Sequence, residues 1–316
     1  MKSKWWALPT LLPYNPLSDY LKSRFGCKVR KVSINAGFTC PNRDGTKGRG
    51  GCIYCEPKAL IQETYSKGMG VKEQLALGIE GLKLAAKADK VIAYFQINTN
   101  TYAPIEYLKA LYTEAIEHPD VVCLAISARP DCVGDDVVRL LKTLKEKKHL
   151  WVELGLQSAN DKTLEYIGRG HTIKDFSDAA SRLHKAGIDI VAHMMIGLPA
   201  EGRDDILNTV RFINNCGVWG LKFHQLEVVK GTRLEEAFTR GEVRVLSLEE
   251  YKDLVIECLE NLCPESVVHK LVGYTPDELL IAPKWGAGKH RLIGLIKAGM
   301  LEKHTRQGAK YNTDAQ

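Results

Sequence analysis

Between residues 29 and 263, apolar positions alternate between two patterns: short apolar runs, and a period of three to four residues. Short runs bounded by turn residues predict buried strands, and the longer period predicts amphipathic helices. Residues 29–34, 91–97, 121–127, 150–156, 188–196 and 221–229 carry the strand pattern. Residues 71–87, 104–117, 134–147, 173–186, 203–216 and 247–262 carry the helical one. The punctuation agrees with these assignments. Gly187 and Gly217 stand where helices stop, in the role of a left-handed C-terminal cap. Ser247 followed by Glu250 is a capping-box pair. Asp135 and Asp136 precede, and Lys145, Lys147 and Lys148 follow, the body of one helix, as the helix dipole favours.

Six β–α units joined by short connections predict an α/β chain. The expected architecture is a partial (β/α)6 TIM-type barrel, with ligands at the C-terminal ends of its strands. A doubly wound open sheet is the alternative. The expected organisation is an N-terminal extension over 1–28, a barrel core over 29–265, and a basic C-terminal extension over 266–316. Trp5, Trp6, Tyr14 and Tyr20 are expected to anchor the first extension.

Composition narrows the class. With 45% hydrophobic and 26% charged residues in 316, the chain has globular values. No apolar run approaches the roughly 20 residues of a membrane span. No apolar leader follows the first charged residues, so a cytoplasmic protein is expected. The net charge of +6 is unevenly placed. Residues 1–49 hold ten Lys/Arg and two acids, and residues 284–316 hold seven and two. The stretch between them carries an acidic excess. Basic ends suggest an acidic partner, or simply two solvated lysine-rich segments.

Nine cysteines in a chain expected in a reducing compartment ask for metal ligation or burial rather than disulfides. Three are set apart. Cys40-Pro-Asn-Arg-Asp-Gly-Thr-Lys-Gly-Arg-Gly-Gly-Cys52-Ile-Tyr-Cys55 follows the first predicted strand and contains four glycines between its first two cysteines. Three thiolates in such a loop can hold three irons of a [4Fe–4S] cluster, leaving the fourth iron open. Zinc is the competing metal, although a structural zinc site needs a fourth protein ligand and none is obvious nearby. The other six cysteines read as packing groups, with Cys132 the one to test as a reactive thiol.

The loop resembles that of radical S-adenosylmethionine (SAM) enzymes, including the aromatic residue, Tyr54, before the third cysteine. Eleven residues separate the first two cysteines, where three is common in that superfamily. Longer spacings occur in the subgroup related to the catalytic subunit of Elongator, and one family there carries this Cys-Pro-Asn-Arg-Asp-Gly loop. The resemblance extends to Ile126-Ser-Ala-Arg129-Pro-Asp131, Glu153-Leu-Gly-Leu-Gln157-Ser158, Arg169-Gly-His171-Thr172, Ala192-His193 through Pro199, and Val229-Lys-Gly-Thr232.

The resemblance implies a [4Fe–4S] cluster on Cys40, Cys52 and Cys55, with SAM chelating the open iron. Gln157 and His193 are then expected at the ribose and Arg169 at the methionyl carboxylate. Gln96 or Asn98 is expected near the amino group, Tyr54 beside the adenine, and Ser127 where some relatives have a carboxylate. Each has an ordinary structural reading as well: a strand-end hydrogen bond, an ion pair, a core histidine. Glu153 and His171 are candidates for proton transfer. The resemblance also implies reductive cleavage of SAM to a 5′-deoxyadenosyl radical, an electron donor such as flavodoxin or ferredoxin, and tRNA as the partner of the basic ends. The substrate class would be the 5-substituent of a wobble uridine, of carboxymethylaminomethyl type. A small metabolite substrate, or a non-catalytic metal-bearing nucleic-acid binder, are the competing readings. The expected RNA patch comprises Lys284, Trp285, Lys289, His290, Arg291, Lys297, Lys303, Arg306 and Lys310, because it mixes an aromatic with cations.

Overall fold

The computed structural model describes residues 12–57, 68–85 and 87–312; Trp5 and Trp6 lie outside the described residues. Six parallel strands appear where the apolar runs predict them: β1 (Val29–Ile34), β2 (Lys90–Phe95), β3 (Val121–Ala128), β4 (His149–Gln157), β5 (Asp189–Ile196) and β6 (Gly220–Gln225). They pair in sequence order, each beside the next, as short right-handed β–α crossovers dictate. The sheet curls into an incomplete barrel. Its outer face, with Phe95, Ile126, Leu154 and Met194, packs against the helical layer in one continuous apolar cluster.

That layer comprises α2 (Val71–Leu84), α3 (Ile105–Ile116), α4 (Asp135–Lys145), α6 (Ile173–Lys185), α7 (Arg203–Asn215) and α9 (Leu248–Asn261). The short helices α5 (Asp161–Tyr166) and α8 (Arg233–Thr239) sit in loops at the C-terminal ends of β4 and β6. The capping box at α9 forms as expected: Glu250 N–H donates to Ser247 Oγ at 3.2 Å, and Ser247 N–H to Glu250 Oε2 at 2.8 Å. A second box, Thr172 with Asp175, starts α6. Such caps contribute about 1 kcal/mol each.

Two strand expectations change. The run 221–229 is not one strand. β6 ends at Gln225, whose side chain accepts from the Gly273 N–H and donates to Glu227. The chain then leaves the sheet, and β7 (Val228–Val229) pairs antiparallel with β9 (Leu280–Ala282). The barrel also has seven strands, not six. β8 (Val267–Lys270) adds to β6 in parallel. It lies inside the stretch expected to be an extension, and four residues are too few for a periodic signal.

The N- and C-terminal parts complete the barrel. α1 (Leu17–Phe25) contacts both β1 and β8, the two edges of the sheet. Its Tyr20 meets Trp219 edge-on at 4.9 Å, and with Leu21 it packs onto Trp151 and Cys123 at the barrel floor. α10 (Lys289–Glu302) packs on α9. Past it, Gln307 ties the ends together: its side-chain oxygen accepts from the Asn15 N–H at 2.9 Å, and its own N–H donates to Pro13 O at 2.8 Å. Among the described residues, no helix is long and apolar enough to cross a membrane.

Candidate active site

The cysteine loop is a set of tight turns held from outside. Arg43 and Asp44 N–H groups return to Cys40 O at 2.8 and 3.1 Å, and Cys55 N–H returns to Cys52 O at 3.1 Å. Asn42 Nδ2 donates to Gly168 O at 2.7 Å, Ile53 N–H donates to Ile167 O at 3.0 Å, and Arg233 reaches Gly51 O. Gly51 has φ +79°, and a Cβ there would stand 2.8 Å from Arg43 Nε. The turn therefore needs glycine on both conformational and steric grounds. Arg43 in turn donates to Cys55 O.

One guanidinium serves the thiols. Arg169 is buried; its Nη1 lies 3.4 Å from Cys52 Sγ, its Nη2 donates to Gly155 O at 2.6 Å, and its Nε donates to His171 Nε2 at 3.0 Å. Burial pushes the Cys52 thiol up, but Arg169, then Arg129 and Tyr54, outweigh it and bring the thiol below its ordinary range. Burial and the neighbouring Cys52 raise the Cys55 thiol, against Arg43 and Arg169. Burial, then Arg169 and Arg129, lower His171 to about 3, so it is neutral. Arg129 holds this loop by donating to Arg169 O at 2.7 Å and Gly170 O at 3.2 Å, while paired with Asp131 at 3.0 Å. A Cβ on Gly155 would stand 2.7 Å from Arg169 Nη2, so glycine is what lets the guanidinium reach the strand.

Backbone strain collects at the strand ends. Gln157, Ile97 and Asn98 have φ of 74°, 70° and 60°. Left-handed conformations cost non-glycine residues about 1–3 kcal/mol each and concentrate at working sites.

Below the strand ends, the concave face is polar. Glu153 in β4 is fully buried and accepts from five groups. Lys31 Nζ stands at 2.7 Å, Tyr94 OH at 2.7 Å, His193 Nε2 at 2.9 Å and Trp151 Nε1 at 3.1 Å; Lys222 Nζ completes the set. The two lysines and His193 outweigh burial and hold the carboxyl well below the usual range. Burial, then Lys222, lowers His193 to about 4 despite Glu153. Its neutral ring stacks on His224 at 5.2 Å.

A half-barrel with a three-cysteine loop after its first strand, an arginine against one thiol and a polar interior has the arrangement that the sequence comparison identifies. The Radical SAM superfamily profile matches residues 38–213, more than half of the chain. The chain belongs to the radical SAM superfamily. The radical SAM C-terminal domain follows over residues 218–302. Bacillus subtilis (strain 168) YtqA is 37% identical over 295 residues, 93% of this chain and 92% of its own length. Escherichia coli (strain K12) YhcC is 35% identical over 297 residues, 93% and 94% respectively. A Methanocaldococcus jannaschii tRNA uridine(34) acetyltransferase is 29% identical over 149 residues, 45% of this chain and 26% of its own length. The solved Methanocaldococcus infernus Elp3, lacking its N-terminus, shares the fold with a TM-score of 0.70 at 19% identity, over 89% of this chain and 64% of that one.

Radical SAM enzymes use a [4Fe–4S] cluster and SAM for reductive SAM cleavage. The donors present suit that cluster. The thiols of Cys40, Cys52 and Cys55 share one loop, and Arg169 is coupled electrostatically to all three. Cys40, Cys52 and Cys55 would hold three irons, while Arg169 and Asn42, the latter 3.7 Å from Cys52 Sγ, supply hydrogen bonds to sulfur. Such bonds and burial set a cluster's potential. This chain orients the three thiols and buries that of Cys52; the redox chemistry is the cofactors'.

The other expected contacts are distributed as follows. Gln157 is at the C-terminal end of β4, and its amide lies beside Gly155. Gln96 Nε2 donates to Ser33 Oγ at 2.9 Å, and Asn98 Nδ2 to Phe38 O at 2.8 Å. The Tyr54 hydroxyl bonds to Cys52, and its ring joins the apolar cluster of Met195 and Leu226. Ser127 Oγ meets Tyr94 OH at 2.8 Å on the concave face. His193 is engaged by Glu153 rather than by the strand ends. Cys132 is half-buried beside Cys40, and burial raises its thiol to about 12. The interior lysines Lys31 and Lys222 and the loop brace Asn42 were not expected from the sequence. Lys222, a charge between Leu221 and Phe223 in an apolar run, was the available signal.

The basic ends are only partly surface. Lys31 and Arg43 point inward. Trp285 is half-buried: its Nε1 donates to Leu246 O at 3.0 Å and its ring lies 5.2 Å from Tyr251. Lys303 and Lys310 pair with Asp253 and Glu260. Lys284, His290, Arg291 and Arg306 remain exposed.

Proposed function

We propose that this protein is a radical SAM enzyme that modifies the 5-substituent of a tRNA wobble uridine, of carboxymethylaminomethyl type. The observation that carries the reading is the half-barrel shared with Elp3 together with sequence similarity to a tRNA uridine(34) acetyltransferase over 149 residues. Exposed Lys284, Arg291 and Arg306 supply phosphate contacts, with His290 as a further exposed polar group, and such binding falls steeply with salt. The enzyme acts in the cytoplasm, and flavodoxin or ferredoxin supplies the electron. Gln157 and Arg169, at the strand ends beside the thiols, take part in holding SAM.

Two measurements test this. Dithionite-driven release of 5′-deoxyadenosine by the reconstituted protein reports the radical step. Mass spectrometry of tRNA nucleosides from a deletion strain reports the substrate; an unchanged wobble-uridine profile rules the tRNA reading out, leaving a small metabolite as substrate.

A further inference from the structure

The concave face holds more positive charge than its carboxylates pair. Lys31 and Lys222 share Glu153. Lys270 at the end of β8 is the register partner of Lys222 across the β6–β8 pairing, and neither Lys270 nor Lys289 at the start of α10 has an ion-pair or hydrogen-bond partner among the described residues. The nearby second carboxylate, Glu227, is occupied by Thr275 and Gln225 and is itself raised by burial. Like charges on neighbouring strands oppose one another, and an ammonium half-buried without a counter-charge, as at Lys270, is costly; Lys289 is exposed. A second, independent sign points the same way. His224, whose field includes Lys270 and Lys222, has its Nε2 enclosed without a hydrogen-bond partner, and both ring nitrogens of His269 beneath are likewise unpartnered. Buried polar atoms in folded proteins are nearly always paired, so the His224 Nε2 has capacity for a partner beside Lys222 and Lys270, whereas His269 packs against Trp151 and Trp219 at the floor.

We propose that the barrel interior beside β6 and β8 is a carboxylate-recognition subsite, in which Lys222, Lys270 and the His224 Nε2 receive an anionic group of the substrate while Lys289 guards its rim. The interior already shows this mode once: the Glu153 carboxylate lies between Lys31 and Lys222. A second carboxylate beside Lys270 would repeat it. The site lies on the concave face of the sheet, on the neighbouring strands β6 and β8. This deepens the tRNA reading, on which the identity of the carboxylate's bearer rests; the subsite itself is tested without RNA.

The experiment titrates the cluster-loaded full chain with N-acetylglycine, with neutral N-acetylglycinamide and with inorganic phosphate, by ligand-observed NMR. Expected are acid binding at least about tenfold tighter than amide, and about tenfold weakening in Lys270→Gln with recovery in Lys270→Arg. Circular dichroism checks that both variants fold; should Lys270→Gln not fold, Lys289→Gln, at the rim, is expected to weaken the acid about threefold. Equal affinity for acid and amide overturns the proposal, as does phosphate binding as tightly as the acid. So does indifference to the substitutions. If SAM displaces N-acetylglycine and Lys270→Gln weakens SAM equally, the lysines serve the cofactor and the proposal fails. A failed titration with an altered wobble-uridine profile removes the subsite alone; a sound titration with an unchanged profile removes the tRNA substrate alone.

Discussion

Replacing Glu153 with Gln removes one charge and reorganises five hydrogen bonds. The carboxylate accepts from Lys31, Lys222, His193, Tyr94 and Trp151 in a fully buried position. An amide offers one oxygen, and its NH2 would face donors. Two interior ammonium groups would then lack their counter-charge. Breaking a buried ion pair by removing one partner costs about 3–5 kcal/mol, a large part of the net stability of a folded chain. At about 2–4 °C per kcal/mol for a protein of this size class, thermal unfolding should move down by about 10 °C. The assay is unfolding of the cluster-free chain followed by circular dichroism at pH 7, with urea midpoints as a check. A companion variant separates charge from packing. Lys31→Met, Glu153→Leu and Lys222→Met together remove the whole network, and apolar replacement of buried ion pairs is often neutral or stabilising. The triple variant should therefore unfold well above Glu153→Gln. If Glu153→Gln unfolds within about 2 °C of the parent, or if the triple variant is no better, the network is not held by charge pairing and the reasoning is refuted.

Alanine at Cys40, Cys52 or Cys55 should abolish both the visible iron–sulfur absorbance and 5′-deoxyadenosine formation; retained activity in any one would remove that thiol from the cluster. Gly155→Ala, whose Cβ would meet Arg169 Nη2 at 2.7 Å, should cost about 1–3 kcal/mol by urea unfolding. Burial, then Lys222 and Lys289, against Glu227 and with Lys31 beyond, lower Lys270 to about 7, below its unfolded value. The unfolded chain thus binds more protons above pH 7, so stability should rise from pH 7 toward pH 9, and Lys270→Met should flatten that rise.

The apolar runs place five strands within a residue or two at each end, and the start of the sixth, because a strand covered on its outer face by helices needs little but apolar side chains. The same rule obscured the interior. Tyr94, Glu153, His193 and Lys222 sit in those runs as isolated polar residues, and one sequence does not say whether such a residue faces a partner or a cavity. β8 was missed because Val267–Lys270 is stabilised by pairing with β6 rather than by its own pattern. The cysteine loop was legible because metal ligation demands residue type and proximity in sequence. Its braces were not: Arg169 is 117 residues from Cys52, and Asn42 is 126 from Gly168. The RNA patch was read from cations mixed with an aromatic, a pattern that does not say which side chains are already engaged: Trp285 packs on Tyr251 and donates to Leu246 O.

The Gln307 tie has a consequence for synthesis on the ribosome. Asn15 and Gln307 are 292 residues apart, which at about 5–20 residues per second separates their emergence by roughly 15–60 s. For most of that interval the cysteine loop and the first strands exist while β8 and the clamp do not. The nascent sheet carries two unpaired strand edges and an open floor, a template for pairing with another chain. The final twenty described residues thus act as the latch of the whole enzyme, and the cell must shield the growing half-barrel until it engages.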